Sequence, residues 1–176
     1  RAFVLHVGSN LRRKNREGIM RIFAKTIDRW DGLLVFAGQP LSAELRALAG
    51  SLKIRDRVVE IPKPDGELLE ALYSRATAFL FPSRFEGFGW PIIEAQACGC
   101  PVLCSDSGPM PEVAGDGAFK FAVDDEEGFA SAILRLADPE ERAEWGRRGR
   151  ANIARFSTER MLDEYVRIYE ELGTRK

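Results

Sequence analysis

Six short runs of nearly unbroken apolar residues recur along the first two thirds of the chain: Ala2 to Val7, Leu33 to Ala37, Arg57 to Ile61, Ala78 to Phe81, Pro101 to Cys104 and Ala118 to Phe121. The stretches between them are longer, and their apolar residues recur near a 3.6 period, as in the stripe Ile19, Ile22, Phe23, Thr26 and Ile27. A strand that is apolar at every position has both faces covered, and crossovers long enough for a helix let consecutive strands run parallel. The expected fold class is therefore α/β: a Rossmann-like three-layer α/β/α arrangement around a parallel sheet of about six strands. Helices are expected over Asn15 to Arg29, Ser42 to Ser51, Gly66 to Ser74, Pro91 to Cys98, Pro109 to Val113 and Glu126 to Ala137. After Asp138 the pattern predicts two more, Pro139 to Phe156 and Ser157 to Leu172, packed on the flank of the sheet. Pro139 suits a first helical turn, and Ser157 with Arg160 in place of Glu makes half a capping box. The tail Leu172 to Lys176 is expected to fray.

A length of 176 residues suits one domain spanning 1–176, and 45% hydrophobic with 30% charged residues is the composition of a globular chain. Lys plus Arg number 26 against 27 Asp plus Glu, so no bulk charge favours nucleic acid as a partner. The longest apolar run, Thr77 to Pro82, is too short for a membrane span. Cys98, Cys100 and Cys104 are an odd number in one short stretch without a neighbouring His, which reads as thiols in a reducing, cytoplasmic compartment rather than a disulfide framework or a zinc site. The chain opens on Arg1 and runs straight into an apolar strand, the expected look of a piece of something longer.

Two stretches carry chemistry. Pro82-Ser83-Arg84-Phe85-Glu86-Gly87-Phe88-Gly89-Trp90-Pro91 runs from a strand end through a loop into a helix, and ligands of open parallel sheets bind at such carboxyl ends. Gly87 and Gly89 let backbone N–H groups approach an anion, and the helix that follows adds its unpaired N–H groups. Glu86 in the loop and Glu94 one turn into the helix are placed to face one pocket, and a carboxylate accepts from two vicinal hydroxyls at once, as on a sugar or a ribose. Trp90 reads as packing, with a pocket wall as the alternative.

The second stretch, Gly8-Ser9-Asn10-Leu11-Arg12-Arg13-Lys14-Asn15, also joins a strand to a helix. Three consecutive cations at the positive end of that helix call for an anion, and a diphosphate supplies one through charge-assisted hydrogen bonds. It is not a P-loop, because neither Ser nor Thr follows Lys14. His6, the one histidine, reads as a core residue. Arg147, Arg148 and Arg150 read as a solvated helix face.

The Glu86-to-Glu94 spacing with Gly87, Phe88 and Gly89 inside it, continued by Ala95-Gln96-Ala97-Cys98-Gly99-Cys100-Pro101-Val102, resembles the C-terminal half of a GT-B glycosyltransferase. The resemblance is to the retaining group called glycosyltransferase family 4. Further marks follow in order: His6-Val7-Gly8 with Lys14-Asn15, Val35-Phe36-Ala37-Gly38, Leu69 to Tyr73, Pro82-Ser83, Gly108 to Val113 and Phe156-Ser157. The resemblance implies a UDP-, GDP- or ADP-sugar donor, no metal cofactor, and Glu86, Gly87, Phe88 and Gly89 holding the donor sugar. It assigns Glu94 to the ribose hydroxyls, Lys14 to the diphosphate, and Gly8 and Ser9 to the donor-binding corner. Many members carry Arg at the Ser9 position, so Arg13 is the expected substitute. Glu86, Lys14 and Arg13 are the expected catalytic group, with Arg13, Lys14 and the helix N-terminus stabilising the leaving diphosphate without a metal. Arg13-Lys14-Asn15 resembles members that transfer mannose.

The implied partners are a saccharide or lipid-linked acceptor, held by an N-terminal GT-B domain that 176 residues do not supply, and peripheral contact with a membrane through the full-length protein. The isolated chain is therefore expected to bind donor weakly and to transfer little sugar. Two alternatives stay open: a non-catalytic nucleotide-sugar binding module, and a glycoside hydrolase with Glu86 and Glu94 as its acid and base, which leaves the cationic loop unexplained.

Overall fold

The computed structural model describes residues 1–173; of the tail expected to fray from Leu172, Leu172 and Gly173 are helical and 174–176 lie outside the described residues. Each apolar run forms a strand: β1 (Phe3–Gly8), β2 (Leu33–Gly38), β3 (Val58–Pro62), β4 (Ala78–Phe81), β5 (Val102–Ser105) and β6 (Ala118–Phe121). They make one parallel sheet in the order β3-β2-β1-β4-β5-β6.

Neighbouring strand residues point to opposite faces, and both faces are apolar. Val4, Leu34, Phe36 and Leu80 pack on one side under α1 (Arg16–Ala24), α2 (Ala43–Ser51) and α6 (Glu126–Arg135). Leu5, Val35, Phe79 and Phe81 pack on the other under α3 (Gly66–Arg75), α4 (Trp90–Ala97) and α5 (Met110–Ala114). This two-sided burial is why the strands read as continuous runs. Helix starts follow their local chemistry: Ser42, Asp65, Asp125 and Asp138 each accept from a backbone N–H of the first turn.

Three expectations need correction. The first helix stops at Ala24, not Arg29, because Thr26 turns its hydroxyl back onto the Phe23 carbonyl and residues 25–29 continue as turns. The helix from Pro139 ends at Ile153 and tightens into a 3₁₀ turn over Ala154–Phe156. The expected packing of both final helices on the sheet holds for only one of them. α7 (Pro139–Ile153) sets Trp145 on Phe119, ring centroids 3.9 Å apart, and buries Gly146, Gly149 and Asn152. α8 (Thr158–Gly173) buries nothing: Met161, Leu162, Tyr165, Val166 and Tyr169 are all at least half exposed. The half capping box does form, with Arg160 N–H donating to Ser157 Oγ. No described helix is long and apolar enough to cross a membrane.

The strand order decides where a ligand can sit. Successive strands step one way from β1 to β3 and the other way from β4 to β6, so the connections leaving β1 and β4 diverge and leave a crevice at their carboxyl ends. The loop Gly8–Asn15 leaves from β1, and the loop 82–89 leaves from β4.

Candidate functional site

The two loops are stitched together. Arg84 N–H donates to the Arg13 carbonyl at 2.7 Å, and Asn15 Nδ2 donates to the Pro82 carbonyl at 3.1 Å. The cationic run Arg12–Lys14 forms a 3₁₀ turn, and Asn15 follows in a left-handed conformation (φ 54°) that redirects the chain into α1.

This geometry places Glu86 between the cations. Lys14 Nζ lies 2.8 Å from Glu86 Oε1, and Arg13 Nη1 donates to Glu86 Oε2 at 2.6 Å. Lys14 and Glu86 are buried, with Lys14 Nζ also over the Phe81 ring at 4.9 Å, while Arg13 stays partly exposed. Burial pushes the Glu86 carboxyl up, yet the hydrogen bonds and charge of Lys14 and Arg13 outweigh it and hold the group below the usual carboxylate range. The cationic run calls for an anion, and in this structure Glu86 supplies one to Arg13 and Lys14 from within the chain. Arg12 remains exposed.

Gly8 ends β1 opposite Gly38 of β2. Its carbonyl accepts from Gln39 N–H at 3.0 Å and from Arg16 Nη2 at 2.7 Å. Ser9 follows, half-buried. Arg16 went unrecognised in the sequence. It is 3% exposed, donates as well to the Gln39 carbonyl and Asn10 Oδ1, and stacks on Phe36. Burial lowers its pKa to about 10, against the raising influence of Glu60. The one available signal was a cation at the first position of a helix, where the dipole disfavours it.

Gly87, Phe88 and Gly89 lead into α4, with Gly89 at φ 115° and Pro91 within the first turn. Trp90 is 64% exposed, its ring 5.1 Å from Phe88, which meets Phe156 edge-on. Glu94 is exposed and accepts from Tyr73 Oη at 3.1 Å. The expectation that Glu86 and Glu94 face one pocket needs refinement. Glu86 is enclosed by Arg13 and Lys14, whereas Glu94 lines a separate hollow of about 430 Å3 between α3 and α4.

His6 is buried at the base of the corner. A carbonyl only accepts, so Nδ1 is the protonated nitrogen in its 3.0 Å contact with the Leu80 carbonyl. Burial drops the His6 pKa to about 3, with the charges of Arg16 and Lys14 in the same direction, against the Leu80 hydrogen bond. The unfolded chain binds this proton near pH 6.5 and the folded one near 3, so stability falls as pH drops below 6.5. Between pH 6.5 and 4.5, where most carboxylates remain ionised, a His6→Phe variant is expected to lose less stability than the parent, read as urea midpoints. Parallel pH profiles would count against the buried neutral imidazole. Cys100 and Cys104 are buried and Cys98 half-buried, and all three are free thiols, Cys100 and Cys104 held in the protonated state by burial.

Residues 1–152 match the family described as glycosyl transferases group 1. The chain belongs to that family. It is 32% identical over 181 aligned residues to a D-inositol 3-phosphate glycosyltransferase of Acidothermus cellulolyticus, covering 96% of this chain and 40% of that protein. It is 39% identical over 110 residues to O-antigen chain mannosyltransferase B of Escherichia coli, covering 62% of this chain and 29% of that one. Among solved structures, sucrose-phosphate synthase from Thermosynechococcus elongatus superposes with a TM-score of 0.85 at 31% identity, over 99% of this chain and 46% of that one. The group 1 chain therefore spans less than half the length of these relatives, and its three-layer fold is that of GT-B glycosyltransferases.

Proposed function

We propose that the chain binds a nucleoside-diphosphate sugar in the crevice between the β1 and β4 loops and acts as the donor half of a retaining glycosyltransferase of the family 4 type. The observation that carries this reading is the placement of Arg13 and Lys14 at the switch point of the sheet, beside glycine corners on both loops. A diphosphate entering there takes Arg13 and Lys14 as counter-ions and receives backbone N–H groups near Gly8, Ser9, Gly87 and Gly89. Glu86, released from the cations, then accepts from hydroxyls of the donor sugar. Glu94 accepts from the ribose hydroxyls in the hollow beside Tyr73.

As the glycosidic bond breaks, negative charge grows on the departing diphosphate. Two fixed cations and the N-terminus of α4 stabilise it where it develops, the part a metal plays elsewhere. The acceptor is assigned to another part of the full protein, in keeping with relatives more than twice as long. A mannosyl donor is supported by the Arg13-Lys14-Asn15 run and the mannosyltransferase relative. Three free thiols support a reducing, cytoplasmic setting.

The test is calorimetry with UDP, GDP, ADP and inorganic pyrophosphate. At least one nucleoside diphosphate is expected to bind and to raise the unfolding temperature by mass action. Glu94→Ala is expected to weaken that nucleotide about tenfold while leaving pyrophosphate unchanged, since it removes a charged acceptor from the ribose only. If no nucleoside diphosphate binds the parent, the donor reading fails. Equal loss of both ligands would remove Glu94 from the ribose.

A further inference from the structure

Tyr73 has no part in the reading above, yet its position is specific. It lies on α3, is 2% exposed, and its ring meets Phe79 edge-on at 5.3 Å. Such burial is ordinary for an aromatic residue. What packing does not require is its hydroxyl, which emerges at the wall of the 430 Å3 hollow and donates to Glu94 Oε2 at 3.1 Å. The phenol stays a donor throughout the physiological range, because burial and the neighbouring Glu94 carboxylate both oppose its ionisation.

A glutamate on an exposed helix face has three rotatable bonds and no fixed carboxylate plane. Here one end is tied. Tyr73 occupies one lone pair of Oε2 and sets the orientation of the group before any ligand arrives. The remaining lone pairs on Oε2 and Oε1 are left for two adjacent hydroxyls of a ligand in the hollow that Glu94 lines. Rotamer freedom lost in advance is not lost again on binding, so the tie strengthens a two-point contact more than a one-point contact.

We propose that Tyr73 is the positioning residue of the Glu94 subsite and makes that subsite selective for a vicinal diol, a ribose over a 2′-deoxyribose. The inference rests on the donor reading above. It adds a residue on a different element, acting through Glu94 without touching the ligand.

The test compares UDP, GDP and ADP, each beside its 2′-deoxy counterpart, on the folded chain by calorimetry, with pyrophosphate as the control. The parent is expected to prefer the ribo form. Tyr73→Phe keeps the ring and its contact with Phe79 and removes only the donor. It is expected to reduce the ribo preference about three- to tenfold, the worth of one hydrogen bond, with pyrophosphate binding unchanged. In a Glu94→Ala background the same substitution is expected to change nothing. Where Tyr73→Phe lowers the folded population, 3-fluorotyrosine at position 73 serves instead: it keeps the hydroxyl, strengthens it as a donor and is expected to shift the ribo preference.

An unchanged preference in the folded variants would reduce Tyr73 to packing and overturn the inference while leaving the donor reading intact. A parent that binds nucleoside diphosphates without ribo preference would overturn the Glu94 subsite and Tyr73 together. A parent that binds none would overturn the donor reading itself, and with it the inference.

Discussion

Lys14→Met is expected to abolish diphosphate binding and also to destabilise the chain, while a second change at Glu86 restores stability without restoring binding. The reason lies in the ion cluster. The Lys14 and Glu86 side chains are 11% and 8% exposed, so removing Lys14 leaves the Glu86 carboxylate out of water with one of its two counter-ions gone. Breaking a fully buried pair costs about 3 to 5 kcal/mol. Arg13 remains on Glu86 Oε2, with its own side chain 42% exposed, so the expected loss is smaller, about 2 kcal/mol. In Lys14→Met/Glu86→Gln no buried charge is stranded and most of that loss is recovered. The diphosphate has still lost the buried one of its two counter-ions. Glu86→Gln alone should act in the opposite sense on binding: it frees Lys14 and Arg13 from an internal competitor, and pyrophosphate affinity is expected to rise about tenfold. Urea midpoints and pyrophosphate calorimetry on the three variants check these outcomes together. Pyrophosphate affinity that is the same in the parent, Lys14→Met and Glu86→Gln would show that anions do not use this corner.

Gly38→Ala is expected to be the most destabilising single-methyl change in the sheet. Gly38 sits at φ 114°, which L side chains rarely adopt, and a Cβ there would lie 2.5 Å from the Gly8 carbonyl oxygen. That oxygen cannot retreat freely, since Gln39 N–H and Arg16 both hold it. Strain and clash together are expected to cost about 3 kcal/mol or more, lowering the unfolding temperature by roughly 10 °C. Gly108 provides the comparison: it also has positive φ, at 57°, but open space around its Cβ position, so Gly108→Ala should cost only about 1 kcal/mol. Equal shifts for the two in a thermal melt would mean that strain alone, and not the Gly8–Gly38 contact, governs the corner. The displaced Gly8 loop should also weaken pyrophosphate binding, so Gly38→Ala ties the sheet register to the site.

Most of the architecture was legible because a doubly covered sheet leaves strong local marks. A strand between two helical layers has no polar face, so β4 and β5 appear as unbroken apolar runs, and the caps Ser42, Asp65, Asp125 and Asp138 mark helix starts with their own side chains. The candidate site was legible in its parts for the same reason: glycines, cations and carboxylates clustered just after strand ends. What stayed hidden depends on contacts between distant segments. Arg16 resembled any helical arginine until Phe36 and three backbone or amide oxygens enclosed it, and Tyr73 resembled any core aromatic until its hydroxyl met Glu94. For α8, periodicity alone marks an apolar stripe; whether anything covers that stripe is a tertiary fact.

By itself, then, the sequence determined a parallel α/β sheet with a cationic loop after one strand and a glutamate-glycine loop after another, because periodicity and turn chemistry act over a few residues. Only the tertiary structure decided that these loops share one crevice, since that follows from the strand order, which sets β1 beside β4. It also decided the partner of the cations. Arg13 and Glu86 are 73 positions apart, and no local rule could tell that an anion for Arg13 and Lys14 already stands within the chain, one that the proposed diphosphate would have to displace.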